Sequence, residues 1–230
     1  MMKIGVFSDV HSNIHALRAL FQAEPDVEKW ICLGDAVGLF PSVNEVVEAL
    51  KREDCIVIRG DHEEYLLCSD PMPHSFSGNE AILRQRRTIT PENRAFLGCL
   101  PAQLHCTIDG RSFYLRHAWC DPADRGERRH AFDFDALDRD YRDFDAVLWG
   151  HTHLPLIVYG KRTLGCNPGS AGFPIDTIRK PSYAVLETAS LSVQLRRFDF
   201  DRERLAQDIL SSGYNPKLYE YVKNDFSWPA

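Results

Sequence analysis

Five short apolar runs in this chain end at aspartate or histidine. Asp9-Val10-His11 follows the run at 3–7, Gly34-Asp35 the run at 30–33, and Gly60-Asp61-His62-Glu63 the run at 55–58. Arg116-His117 follows 112–115, and Gly150-His151-Thr152-His153 follows 146–149. Strand ends of an α/β sheet converge on one crevice, so residues scattered along most of the chain are able to share a site.

The segments between the first three runs set the fold class. Ile14, Leu17, Leu20 and Phe21 recur at helical spacing, as do Val43, Val46, Val47 and Leu50 behind a Ser42 N-cap. This alternation is a βαβαβ unit, which implies parallel strands and right-handed crossovers. Residues 64–101 read as a helical cap, with Thr90-Pro91-Glu92 as N-cap, N1 and acidic first turn above Phe96, Leu97 and Leu100. Asp109-Gly110, between apolar runs at 104–108 and 112–115, is a two-residue hairpin signal. Later runs at 146–149, 156–159 and 182–186, with alternating Leu191, Val193 and Leu195, predict a second, mixed sheet packed on the first. Asp201 caps a last helix that Gly213 ends. One domain is expected over 1–213, with 64–101 as its cap. The tail at 214–230 carries Tyr214, Tyr219, Tyr221, Phe226 and Trp228, too aromatic a set for a solvated segment, and packs on the body or on a partner subunit.

At 230 residues and 44% hydrophobic content, the chain is large enough for one well-buried core. Its net charge of −6 excludes the basic footprint of a protein that binds nucleic-acid backbone. An anionic substrate then needs local positive charge, from metals or arginines; Arg84, Arg86 and Arg87 in the cap are candidates, with a solvated helix face as the plainer role. No run approaches the roughly 18 apolar residues of a membrane span, and the apolar start is too short for a signal peptide, so a cytoplasmic location is expected. Seven cysteines without C-x-x-C spacing read as reduced, mostly buried thiols. The charged stretch 125–130 is the best candidate for disorder.

Imidazole nitrogen with carboxylate oxygen suits divalent transition metals, and two ions about 3.5–4 Å apart clamp a phosphoryl group. Asp9 and His11 project the same way from an extended strand end, as do His151 and His153. Asp35, held by Gly34, is the carboxylate to bridge such a pair. Singly, Asp-x-His and Gly-Asp are ordinary turn chemistry. Two imidazoles at i and i+2 in a loop are harder to explain without a ligand, and all five motifs in order point to a metal crevice.

Together the motifs resemble the D-x-H, G-D, G-N-H-[DE], H and G-H-x-H pattern of the calcineurin-like metallophosphoesterase superfamily. The likeness runs from Lys3 to about Phe198. In Ser8-Asp9-Val10-His11-Ser12-Asn13, Gly34-Asp35-Ala36-Val37-Gly38 and Asn167-Pro168-Gly169-Ser170 it is similar to the small bacterial and archaeal branch of YfcE-type phosphodiesterases. The resemblance implies a four-layer α/β/β/α sandwich of two mixed sheets flanked by helices, with a small helical cap. It implies hydrolysis of phosphodiesters or nucleotide anhydrides ahead of monoesters. Two divalent ions (manganese, iron, zinc, cobalt or nickel) are implied, the first held by Asp9, His11, Asp35 and His153, the second by Asp35, Asp61, His117 and His151. Hydroxide from a water shared by the ions attacks phosphorus, and His62 is the acid at the leaving oxygen or stabilises charge on the phosphoryl oxygens. Asn13 and Ser170 are candidate phosphate contacts, each as readily a turn element. Trp119 stands where the branch has a small residue, as a stacking surface for a base or aryl ester or as core packing. The partner implied is a small phosphorylated substrate, nucleotides included, with no membrane and no extended nucleic-acid surface; a homo-oligomer is compatible with the sequence.

The departure from the pattern is Asp61, where the family has asparagine. A carboxylate also ligates, but it removes one unit of positive charge, attracting an anionic diester less and leaving bound water less acidic. A metal-binding scaffold or weakened enzyme is therefore the alternative, against which His62 argues. His15, His74, His105 and His130 lie outside the motifs and receive no role.

Overall fold

The first three apolar runs are β1 (Lys3–Phe7), β2 (Lys29–Cys32) and β3 (Ile56–Val57), in a computed structural model that describes residues 2–68, 76–119 and 134–227. They are parallel neighbours, joined by α1 (Ile14–Ala23) and α2 (Val43–Arg52). Asn13 caps α1 by accepting from the Ala16 amide at 3.0 Å. Ser42 stands at the N-cap of α2 but its side chain makes no capping bond. That helix rests instead on burial of Val43, Val46, Val47 and Leu50, with Glu45 in its first turn and Lys51 and Arg52 in its last, charges that suit the helix dipole.

Three helices follow, α3 (Asp61–Leu67), α4 (Phe76–Thr88) and α5 (Pro91–Gly98), the last capped by Thr90 on the Asn93 amide at 3.2 Å. β4 (Gln103–Ile108) and β5 (Arg111–Arg116) form the expected hairpin, whose turn puts both Asp109 and Gly110 at positive φ, as a primed turn requires. After α6 (Phe134–Asp140) come β6 (Ala146–Leu148), β7 (Leu156–Tyr159) and β8 (Leu164–Asn167), giving a mixed sheet in the order β4-β5-β6-β8-β7.

β9 (Ser182–Glu187) and β10 (Ser192–Arg197) correct the sequence expectation. They do not extend that sheet but complete the first, in the order β10-β9-β1-β2-β3. The two crossovers from β1 run one way and leave its other edge open. The segment after β8 crosses to that edge, its Ala171 and Gly172 amides donating to the Ser8 and Asp9 carbonyls at 2.9 and 3.0 Å. β9 then lies antiparallel to β1.

Strand alternation sorts the side chains into layers. Ile4, Val6, Ile31, Leu33, Phe113, Leu115, Leu148, Cys166, Ala184 and Leu186 fill the space between the sheets. Phe7, Trp30 and Cys32 face Leu17, Leu20, Val46, Val47 and Leu50 of the helices. On the opposite outer face Tyr114, Val147 and Trp149 pack against Leu137 of α6. This is the four-layer α/β/β/α arrangement, each large buried aliphatic or aromatic contributing about 1.5–3 kcal/mol. A further cluster joins α7 (Arg202–Ser211) and α8 (Pro216–Lys223) to the body, through Leu205, Ile209, Tyr214, Leu218, Tyr221 and Phe226 against Phe40 and Ala81. The aromatic residues 214–226 therefore pack on the body of their own chain.

Cys32 and Cys166 are buried, whereas Cys68 and Cys99 are exposed, so the thiols are less uniformly buried than expected. His74, Cys120, the 125–130 segment and Trp228 lie outside the described residues. No helix among the described residues is long and apolar enough to cross a membrane.

Candidate metal centre

All seven proposed ligands and His62 lie on turns just beyond β1, β2, β3, β5 and β6 or, for Asp61 and His62, in the first turn of α3. Asp9, His11, Asp35, His151 and His153 adopt left-handed backbone, with φ between 50° and 66°, so the Asp/His and His/His pairs converge through turns and not through the extended backbone expected from the sequence. Non-glycine residues in that region cost of order 1–3 kcal/mol each and persist where surrounding bonds over-determine them. Here the Asp9 amide donates to the Gly34 carbonyl at 3.1 Å, the His11 amide to the Asp35 carbonyl at 2.9 Å, and the His151 amide to Asp9 Oδ2 at 3.1 Å. The loops thus brace one another.

Two groups of donor atoms result, each within a 4.8 Å span: Asp9, His11 and His153, and Asp35, Asp61, His117 and His151. Asp35 also falls within such a span of His11 and His62, which places it between the groups. Asp9, His11, Asp35 and His117 form a buried floor; Asp61, His62, His151 and His153 are half-buried at the mouth. His117 Nδ1 lies 2.7 Å from the Leu33 carbonyl, a contact that requires the proton on Nδ1 and turns Nε2 toward Asp35 Oδ2 at 3.3 Å and Asp61 Oδ1 at 3.1 Å. His153 does the same, with Nδ1 2.7 Å from the Phe173 carbonyl and Nε2 3.2 Å from Asp9 Oδ1. His151 uses Nδ1, 3.0 Å from Asp61 Oδ1.

The donor set fits divalent ions. Asp9 Oδ1 is fully buried and forms no hydrogen bond, although it sits at ion-pair distance from His153. His11 Nε2 and His153 Nε2 face each other at 3.1 Å, so two imidazole nitrogens and a carboxylate oxygen converge on one point. The charges of the cluster also offset one another. Burial opposes charge on His117, but the Asp35 and Asp61 carboxylates outweigh it and hold its pKa well above the ordinary value. Burial likewise opposes charge on Asp61, and is outweighed by hydrogen bonds with His117 and His151, so its carboxyl titrates well below the usual range. Burial, reinforced by His62 and His153, pushes His11 down to about 3, leaving it a neutral ligand.

His62 sits across the mouth, its amide donating to Asp35 Oδ1 at 2.8 Å and its Nε2 4.0 Å from Asp35 Oδ2. Its Nδ1 side packs on Gly38, at φ +94°, where a Cβ would come within 2.0 Å of Nδ1. Glycine is needed there on both counts.

The structure gives the proposed substrate contacts other work. Asn13 is fully buried, capping α1 and donating to the Gly172 carbonyl at 3.0 Å. Ser170 Oγ donates to the Asp9 carbonyl and accepts from the Phe173 amide, both at 2.8 Å. Both residues hold the loops around Asp9 together, the turn role that the sequence also allowed. Trp119 packs on Trp149 and Tyr141, ring centroids 5.0 and 5.4 Å away. In the cap, Arg84 pairs with Glu80 at 3.0 Å and Arg86 donates to the Tyr65 carbonyl. Outside the motifs, His15 pairs with Asp208 at 2.7 Å and His105 packs at an angle against Tyr114 and edge-on against Phe144.

Three supporting residues were not singled out from the sequence. Glu63 is fully buried and accepts from the amides of Asp35, Val37 and Gly60 at 2.9, 3.1 and 2.7 Å. Burial and the Asp35 carboxylate push its pKa up to about 7. Its sequence signal is a capping-box acid three residues after the Gly60 N-cap. Gln85 of α4 accepts from the Gly38 amide and donates to Ser12 Oγ and the Phe40 carbonyl, at 2.8, 3.1 and 2.7 Å. Phe173, the carbonyl partner of His153, carried no local signal.

A sequence model of the calcineurin-like phosphoesterase superfamily domain matches residues 2–191. A protein of Methanocaldococcus jannaschii, named only as uncharacterised, is 30% identical over 232 residues, covering 91% of this chain and 92% of its own. Among solved structures, a hypothetical protein from Pyrococcus horikoshii is similar with a TM-score of 0.84 at 22% identity, over 96% of this chain and 98% of that one. A metallophosphoesterase from Sphaerobacter thermophilus gives 0.77 at 24% identity, over 97% and 100%. At these identities the two structures show a shared fold.

Proposed function

The chain belongs to the calcineurin-like phosphoesterase superfamily and is a metal-dependent phosphoesterase, and from that premise we propose that it hydrolyses phosphodiesters or nucleotide anhydrides in preference to monoesters. Asp9, His11 and His153 would hold one divalent ion and Asp61, His117 and His151 a second, with Asp35, which lies between the two groups, available to both. When bound, such ions supply Lewis acidity toward the phosphoryl oxygens and a water acidic enough to react near neutral pH.

The protein supplies orientation and a proton. Carbonyls of Leu33 and Phe173 fix His117 and His153 with Nε2 inward, the geometry ligation needs. His62, anchored by its amide to Asp35, presents Nε2 at the mouth and protonates the departing oxygen. The charge of Asp61 bears on the substrate: a dianionic monoester loses more attraction from it than a monoanionic diester does.

The observation that supports this reading most directly is the meeting of two nitrogen and oxygen donor groups around Asp35, with His62 beside them. The test is metal analysis of manganese-loaded protein and rates on matched aryl phosphodiesters, phosphomonoesters and carboxylic esters. Two ions per chain and faster diester hydrolysis are expected; no retained metal and no phosphoester turnover would sink the proposal. Turnover of carboxylic esters alone would reassign the reaction. A weakened enzyme or metal-binding scaffold is the second reading, favoured by the carboxylate of Asp61 between His117 and His151. It gains if Asp61→Asn retains metal and remains inactive.

A further inference from the structure

The ring of Phe173 walls one side of the metal centre, meeting His11 and His153 edge-on with centroids 5.9 and 5.7 Å away. Its carbonyl accepts from His153 Nδ1. Phe173 in turn lies against Tyr221 of α8, centroids 4.9 Å apart and planes inclined by 31°. The Tyr221 hydroxyl donates to the Pro174 carbonyl at 3.1 Å. Tyr221 is 2% exposed, on a helix beyond the 2–191 span of the family match. One side chain thus grips two consecutive residues of the loop that orients His153. Arg197 secures the far end of that loop, pairing with Asp176 and donating to the Lys180 carbonyl.

We infer that Tyr221 is a positioning residue for the ion held by Asp9, His11 and His153, acting through Phe173 and Pro174. The inference rests on the two-ion reading above. A histidine ligand depends on the partner of its second ring nitrogen, and loss of such a partner typically costs about 10- to 100-fold in metal affinity. Here that partner is a loop carbonyl, whose direction follows the loop, and Tyr221 holds the loop from behind. The other donor group is braced differently, by the Leu33 carbonyl on His117 and by Glu63 on the Asp35 and Gly60 amides. The effect of Tyr221 is therefore selective for one ion.

The test is equilibrium dialysis of the full chain against manganese, with metal content and thermal melting measured for the parent, Tyr221→Ala, Tyr221→Phe and Leu218→Ala. Leu218 lies one turn earlier in the same buried cluster and controls for loss of packing alone. Tyr221→Ala is expected to weaken one of the two ions by about tenfold or more. The other ion and both ions of Leu218→Ala should keep affinities near the parent values, although Leu218→Ala lowers Tm. Unchanged binding in Tyr221→Ala, or equal weakening in Leu218→Ala, overturns the inference. If Tyr221→Ala does not fold, Tyr221→Phe decides: loss of one hydrogen bond should weaken one ion by about threefold, and parent affinity refutes the role. A parent chain that binds fewer than two ions overturns the two-ion reading, and this inference with it.

Discussion

Asp61 presents one carboxylate oxygen to two imidazoles, His117 at 3.1 Å and His151 at 3.0 Å, at the position where the family pattern has a neutral amide. Replacing it with asparagine keeps an oxygen for ligation and removes a negative charge from the reaction field. Asp61→Asn should raise the rate on diesters by at least about tenfold, ~1.4 kcal/mol in the barrier, read from kcat/KM on an aryl diester at fixed metal content. Equal rates would show that the charge is immaterial. Glu63 offers a second test. Glutamine in its place turns an NH2 group toward backbone donors, so Glu63→Gln should cost about 1–3 kcal/mol in urea unfolding. The sequence made the clustering of the donor side chains legible because each sits in a short local motif. It left Asn13 and Ser170 open between phosphate contact and loop tie because the two roles use the same residue types.

At the scale of elements, β5 and β6 are adjacent parallel strands tied at their starts by Asp145. Its carboxylate accepts from the Ser112 amide at 2.8 Å, from Ser112 Oγ at 2.9 Å and from Arg111 at 3.2 Å. Partial burial opposes its charge, but these bonds outweigh it and hold its pKa below the ordinary carboxylate value. A lowered folded-state pKa means stability that is present above the unfolded value, about 3.9, and lost as pH falls through the folded one. Asp145→Asn should therefore cost about 1 kcal/mol at pH 7 and progressively less below pH 4, measured by denaturant unfolding across that range. The βαβαβ unit was legible because helical and strand periods alternate cleanly there. β9 and β10 were not, since alternation names a strand without naming its sheet, and the deciding contacts are the amides of Ala171 and Gly172 on the β1 exit. Nor does aromatic content tell an intramolecular helix such as α8 from a subunit contact.

For the whole molecule, the centre concentrates buried charge between well-packed layers, so divalent ions bound there would act as folding ligands. Each ion held at about 100 times its Kd adds about 2.7 kcal/mol. For a chain of this size that raises Tm by roughly 5–10 °C per ion. Chelation should lower Tm by that amount, and manganese should restore it; a melt indifferent to both would mean that the cluster binds no cation in the native state. The pairing of β1 with β9 has a further consequence. The Met2 amide donates to Thr188 Oγ1, 186 positions along the chain, and β1 meets the same late segment along its length. During synthesis β1, β2 and β3 emerge early, but the β1 edge has no native neighbour until β9 leaves the ribosome. Until then the nascent sheet carries an unpaired edge, the kind of surface that mispairs with other chains. Yield from the cell should accordingly depend on the pace at which the codons between β3 and β9 are read.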